Sequence, residues 1–236
     1  VPAAPMPDGA RGTPAVALAW TALQPGRTAD AVFQFATASD AADIAAAAAN
    51  FEVPSQNIVF ATTDGHIGYQ APGTIPVRAR VPGGPVPSDG TWPQPGWDSR
   101  YDWRGFVDPA QMPAALDPVE GYLVAANQAV TPAGVGPYLT SDWDYGYRSQ
   151  RIRSLLDELI AAGTPIDSAS MGELQYDSWS PYAAMLVPAL LDAPVEDEFT
   201  AQGVDLLRDW DGVQGVDSSA AAYFSAVWAT LLELTF

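Results

Sequence analysis

An α+β fold, with antiparallel strands in the first half and helices in the second, is predicted by two patterns along the chain and one property of its composition. The first half holds short apolar runs separated by turn residues, clearest where Asn57–Thr63 and His66–Gln70 flank Asp64-Gly65. Beyond Asp142 the apolar residues recur with a 3.6-residue period. A hydrophobic fraction of 48% with only 16% charged residues belongs to a folded globular chain and excludes intrinsic disorder.

Taken in order, residues 1–14 are rich in Pro, Gly and Ala without periodicity and read as a loop or frayed end. Ser39 or Asp40 offers an N-cap to the alanine-rich run ending at Asn50, which predicts a short helix. Asp64-Gly65 tolerates positive φ and predicts a hairpin closed by a two-residue primed turn. From Pro72 to Pro118 the many Pro and Gly residues predict a long irregular excursion pinned by Trp92, Trp97 and Trp103, aromatics that could line an apolar pocket. Gly121–Ala126 reads as a buried strand ending at Asn127-Gln128. Ile152, Leu155, Leu156, Leu159 and Ile160 form one stripe of an amphipathic helix that Gly163 terminates. Further helices are expected over 169–192, interrupted at Ser180-Pro181 and bent at Pro188, over 197–210, and over 217–236.

Composition excludes several functions. Twenty-eight acidic residues against ten basic ones give a net charge of −18, which repels nucleic acid and anionic membrane surfaces as partners. All ten basic residues are Arg, so lysine Schiff bases and P-loop lysines are impossible, and the absence of Cys removes thiol nucleophiles and thiolate metal sites. One histidine, His66, cannot supply a multi-histidine metal site, and its place beside a turn reads as structural. No apolar run reaches the roughly 18 residues of a membrane span, and no signal segment opens the chain. Val1 in place of Met, and an apolar end at Phe236, predict a piece of a longer protein, a single partial domain over 1–236.

Three constellations carry chemistry. Arg148 lies four residues before Ile152 and seven before Leu155, which predicts a cation on the buried face of its helix and in the first turn, where the helix dipole disfavours it. Such a cation calls for a partner, either a carboxylate such as Asp142 or Asp144 or a bound acid group. Arg151 and Arg153 flank it and read as structural, Arg153 with Asp157 as an i,i+4 pair. Asn127 and Gln128 are amides at a strand end, able to donate N–H bonds to a developing oxyanion or to form a turn. Asp142 and Asp144 are either helix caps or oxygen ligands for calcium.

Five ordered segments then carry a resemblance: Val53-Pro-Ser-Gln-Asn57, Asp64-Gly-His-Ile-Gly-Tyr69, Trp103-Arg-Gly-Phe106, Gly121-Tyr-Leu-Val-Ala-Ala-Asn127 and Tyr147-Arg-Ser-Gln-Arg-Ile152. Together they resemble the β-chain of the penicillin acylase family, and the likeness extends more weakly from Trp20 to about Leu191. The resemblance implies the αββα sandwich of N-terminal nucleophile hydrolases, in which a serine freed by autocatalytic cleavage attacks an amide with its own α-amino group as base. It implies N-acyl substrates, with penicillins and acyl-homoserine lactones as rival classes, or a non-catalytic member that binds acyl compounds. A purely structural piece is the blandest alternative. The family's oxyanion asparagine falls at Asn127 or Gln128, and its substrate-site arginine matches Arg148. The nucleophile would have to be residue 1 and is Val, so the chain by itself is expected to be inactive, an internal piece whose partners are the remaining β-chain and the α-chain. No cofactor is expected in this chain, calcium is possible in the parent, and the resemblance leans towards a periplasmic or secreted protein.

Overall fold

The computed structural model describes residues 15–236, so the loop expected over 1–14 lies outside the described residues. It contains helices and antiparallel sheets, the α+β arrangement expected, in two compact units: the first runs to Gly146 and the second is Tyr147–Phe236.

In the first unit, α1 (Thr28–Thr37) packs against α2 (Ala41–Ala48). The expected cap holds for α2, where the Asp40 side chain accepts from the Asp43 N–H. Helix α1 was not foreseen, because no side chain of its own caps it: Arg27 stands at the N-cap without a cap bond. A distant acid does the work instead, as the Arg27 N–H donates to Glu52 Oε2 at 3.2 Å, placing negative charge at the helix start. Thr28 Oγ1 then accepts from the backbone N–H of Glu52 and of Val53 and donates to the Val53 carbonyl, tying α1 to the approach to the sheet.

That sheet has the order β1 (Ile58–Ala61), β2 (Ile67–Gln70), β5 (Ala114–Leu116), all antiparallel. The hairpin is where the sequence predicts it, but its turn is not the two-residue type. Thr62 pairs with His66, leaving Thr63, Asp64 and Gly65 as a three-residue connection in which the Gly65 N–H donates to the Thr62 carbonyl and Gly65 takes φ +99. A type I turn followed by a left-handed glycine satisfies the strand twist as well as a primed turn does. The Tyr69 hydroxyl donates to Asn57 Oδ1 at 2.5 Å across the hairpin, and burial pushes its pKa up to about 12.

The excursion is less irregular than expected. It contains β3 (Pro76–Arg78) paired antiparallel with β4 (Trp103–Phe106) in a second, two-stranded sheet, and it contains β5. Its pins differ too: Trp92 and Trp97 are 43% and 56% exposed, while Tyr101 and Met112 are buried and the Tyr101 hydroxyl donates to the Val86 carbonyl. Gly121–Ala126 is not a strand. A strand exists only by its ladder, and this apolar run pairs with no neighbour among the described residues.

In the second unit, α3 (Tyr147–Ala161) ends as expected at Gly163, which takes φ +66 while the Thr164 N–H reaches the Leu159 carbonyl. The interruption at Ser180-Pro181 separates α4 (Ser168–Gln175) from α5 (Pro181–Asp192), with Ser180 capping α5 and Pro188 inside it. Helices α6 (Glu198–Asp205) and α7 (Ser219–Thr235) follow. Ala183, Leu207 and Phe224 form the core of this unit, with Tyr182, Trp210 and Trp228 packed around them.

Leu207 is the largest side chain buried to this degree among the described residues, at 1% exposure. Leu207→Ala is therefore expected to destabilise the second unit by about 2–4 kcal/mol in urea unfolding, whereas Val216→Ala, at a fully exposed position, leaves the midpoint within error.

Candidate functional site

The amide pair expected to face a cleft is built into a backbone clamp. Gln128 Oε1 accepts from the Ala126 N–H at 2.7 Å, and Gln128 Nε2 donates to the Val124 carbonyl, also at 2.7 Å. Both ends of this half-buried side chain are thus committed to the chain that leads into it. Asn127, at the bend the clamp creates, has φ +66 and an exposed side chain. Its carbonyl accepts from the Asp144 N–H at 2.9 Å, next to an isolated parallel bridge between Gln128 and Asp144. Asparagine is among the few residues other than glycine that adopt this left-handed conformation readily. The Asp144 side chain accepts in turn from the Gly146 N–H at 2.9 Å. Asn127, Gln128 and Asp144 are brought together; Asp142 contributes a backbone N–H bonded to Thr140 Oγ1.

Arg148 lies in the first turn of α3, in the second unit, and there the burial expectation fails. Arg148 is exposed. The buried side of the helix is set by Ser149 and Leu156, with Ile152 half-buried and Ile160 50% exposed, so the stripe runs one residue off the predicted line. The desolvation penalty that was to demand a partner for Arg148 is therefore absent. Arg151 is structural as expected: it makes a two-pronged bond to Asp177 at 2.9 and 2.7 Å, and its guanidinium lies 4.7 Å from the centre of the Trp179 ring.

His66 has a role its position beside a turn did not disclose. Its Nδ1 lies 2.6 Å from Asp117 Oδ2, and its Nε2 lies 3.9 Å from Asp64 Oδ2. The other Asp117 oxygen accepts from the Ile67 N–H, and Asp117 itself takes φ +48. The histidine thus joins the hairpin turn to the end of β5. Asp117 was missed by the sequence reading; the Asp117-Pro118 dipeptide, a turn initiator, was the available signal. The Asp117 bond and charge, with Asp64 adding less, push the His66 pKa up, and the His66 bond holds the Asp117 carboxyl below the usual range.

Among the described residues, no three His, Cys, Asp or Glu side chains converge so as to hold a metal ion. Of the three tryptophans of the excursion, only Trp103 lines the apolar cavity of about 770 Å³ bounded by Phe51, Phe106 and Met112.

A family profile described as penicillin amidase matches residues 5–236. The acyl-homoserine lactone acylase QuiP of Pseudomonas fluorescens is 32% identical over 194 residues, covering 82% of this chain and 22% of the relative. A penicillin acylase 2 proenzyme from a Pseudomonas species is 30% identical over 207 residues, covering 87% of this chain and 25% of the relative. Among solved structures, a thermostable penicillin G acylase from Alcaligenes faecalis matches with a TM-score of 0.57 at 21% identity, over 79% of this chain and 32% of the other. That likeness gives the fold. The chain spans about a quarter or less of the curated relatives' length.

Because His66 is the only histidine, its ring protons report its titration without ambiguity. A midpoint above 6.5 is expected by NMR, returning towards that value in Asp117→Asn. The sign for stability follows: the raised histidine contributes fully below pH 6.5 and loses its contribution as pH climbs through its folded pKa. Asp117 contributes above 3.8 and loses its share as pH falls below that. The link is strongest between those limits, and an unshifted histidine midpoint would refute it.

Proposed function

The chain belongs to the penicillin amidase family, and on that premise we propose that it is part of an amide hydrolase that deacylates N-acyl compounds, with Asn127 as an oxyanion donor and Arg148 as a contact for the substrate's acid group. The observation that carries the first assignment is the Gln128 clamp. Attack on an amide carbonyl places negative charge on its oxygen, and a donor fixed in advance stabilises that charge without reorganising as it forms. Gln128 is ill placed for this, since its amide already serves Val124 and Ala126. Asn127 has the exposed side chain, on a backbone bend fixed by Gln128 on one side and by the Asp144 N–H on the other. Gln128 is then the positioning residue and Asn127 the catalytic one. Arg148 stands on the resemblance, and it is exposed in the first turn of α3.

The attacking group comes from another part of the parent protein. The resemblance implies a nucleophile that supplies its own amine as base, and with no Lys or Cys this chain offers neither of those side chains as the attacking group. The chain alone accordingly does not turn over substrate. The remaining polypeptide is its partner, and side chains such as Val119, Tyr145, Tyr176 and Phe199, each 87% exposed or more, fit surfaces that this polypeptide covers. No step runs through calcium. Within the N-acyl class, the QuiP relatives favour acyl-homoserine lactones as a second reading beside penicillins.

In the full-length protein, Asn127→Ala is expected to lower kcat on a phenylacetyl anilide by about 10²–10³ with little change in KM. Gln128→Asn, which keeps a donor but shortens the clamp, loses activity and stability together. If Gln128→Leu retains activity while Asn127→Ala also does, the oxyanion assignment is wrong. Arg148→Ala is expected to raise KM at least about tenfold for a substrate bearing an acid group and less for the anilide. Comparing rates on benzylpenicillin and on an N-acyl-homoserine lactone decides the substrate class, and no hydrolysis of any of the three would reject the hydrolase reading.

A further inference from the structure

In a chain with 28 acidic and ten basic residues, every arginine has carboxylates to choose from. Arg27, Arg100, Arg151 and Arg208 each take one, at 3.3, 2.7, 2.7 and 3.0 Å. Arg78, Arg80 and Arg104 do not: among the described residues none of them lies within ion-pair distance of an acid, and whereas exposed Arg104 donates to the Ser99 carbonyl, Arg78 is half-buried. Arg78 and Arg80 line a cleft of about 780 Å³ in the first unit, formed by β3 and the chain following it, the Pro87–Asp89 turn and Tyr138.

Asp89 lines the same cleft, and one of its carboxylate oxygens is engaged by Thr91. Asp89 Oδ1 accepts from the Thr91 N–H at 3.0 Å and from its hydroxyl at 2.6 Å, and these bonds, far more than Arg78, hold its carboxyl below the usual range. The Arg78 guanidinium is seated at 6.0 Å from the Trp103 ring centre and against Gly90, where a Cβ would fall 2.7 Å from its Nε. Gly90 has φ +92, a backbone conformation that disfavours a side chain, and a Cβ there would push the guanidinium from its seat. The Val81 N–H bonded to Ser88 Oγ at 3.1 Å fixes one wall relative to the other. Ser88, Asp89 and Gln111 add polar groups to the lining, the rest of the walls is mostly apolar, supplied by residues such as Val77, Pro82, Val107 and Pro137, and the volume is that of a small-molecule site.

We propose that this cleft is a second binding site, for a monocarboxylate with an apolar body, which Arg78 and Arg80 hold by its carboxylate. A guanidinium presents a planar fork of donors that matches a carboxylate in two parallel bonds. A single negative charge is favoured over a phosphate dianion, because the surrounding charge of −18 repels the second charge more than two arginines recover. The Val and Pro walls take the apolar body. The site is lined by none of the residues assigned to hydrolysis.

The probes are 4-bromobenzoate and its neutral counterpart 4-bromobenzamide, titrated calorimetrically into the full-length protein and soaked into its crystals for the anomalous signal of bromine. The acid is expected to bind at least about tenfold more tightly than the amide, with bromine in this cleft. Arg80→Met and Arg78→Lys, which keep the Trp103 packing face occupied, each weaken the acid about three- to tenfold while kcat on the anilide is unchanged; Arg78→Met removes the preference for the acid. Equal affinity for acid and amide overturns the proposal. So does acid binding that survives Arg78→Lys and Arg80→Met, or that is lost in Arg148→Met instead, or bromine found only elsewhere. Should Arg78→Met fail to fold, the other two variants and the bromine position decide.

Discussion

One glutamine side chain stands in for a missing strand. Val124 and Ala126 belong to an apolar run with no ladder of its own, yet their backbone groups need partners as any half-buried peptide does. Gln128 supplies an acceptor and a donor from a single amide, which closes the chain on itself within five residues. That closure forces the left-handed bend at Asn127, and the Asp144 N–H fixes the carbonyl leaving it. The backbone conformation of Asn127 is therefore a by-product of satisfying backbone groups, and on the proposed reading that is how an amide at position 128 would bear on the chemistry. A hydrocarbon at 128 would leave a buried donor and acceptor unpaired, at a cost of about 1–3 kcal/mol each.

The same economy appears in the burial pattern. Twelve apolar residues are buried among those described, and seven are alanines, whose side chains withdraw little surface from water. The chain exposes 15907 Å². A self-contained protein of 24.9 kDa is expected to expose about 10,000 Å². Apolar side chains such as Leu234 and Phe199 sit within that excess. The chain matches 22–25% of the length of its relatives, and the thin cores of its two units fit the proposal that further polypeptide covers part of their surface.

What the sequence disclosed and what it hid divide by the range of the interaction. Helix α2, the β1–β2 hairpin, the stop at Gly163 and the break at Ser180-Pro181 were legible because each rests on a cap, a turn residue or a period within a few positions. Helix α1 was hidden because its start is served by Glu52, 25 residues away. β5 and the β3–β4 pair were hidden by flanking prolines, and His66 read as an ordinary turn residue because Asp117 lies 51 positions on. At the candidate site, the sequence pointed to two amides, and the proposal for Asn127 rests on where the Gln128 side chain points, which no spacing encodes. The prediction for Arg148 failed by one residue of helical phase: Ser149, small and polar, occupies the buried position that apolar periodicity assigned to its neighbour.

The distribution of the arginines follows from the acidity of the chain. With so many carboxylates available, most structural arginines find one, though Arg104 bonds the Ser99 carbonyl instead, and Arg151 shows the complete case, bonded to Asp177 and stacked on Trp179. A guanidinium that stays half-buried without such a bond forgoes stabilisation that was available to it, so its surroundings must favour that state for another reason. At Arg78 those surroundings are specific: an aromatic face, the close approach of Gly90, and an aspartate in the same cleft that bonds Thr91 rather than the guanidinium. The first two hold the cation in place without a hydrogen-bonded acid, and a cation so held beside apolar walls is organised for an anion from outside the chain.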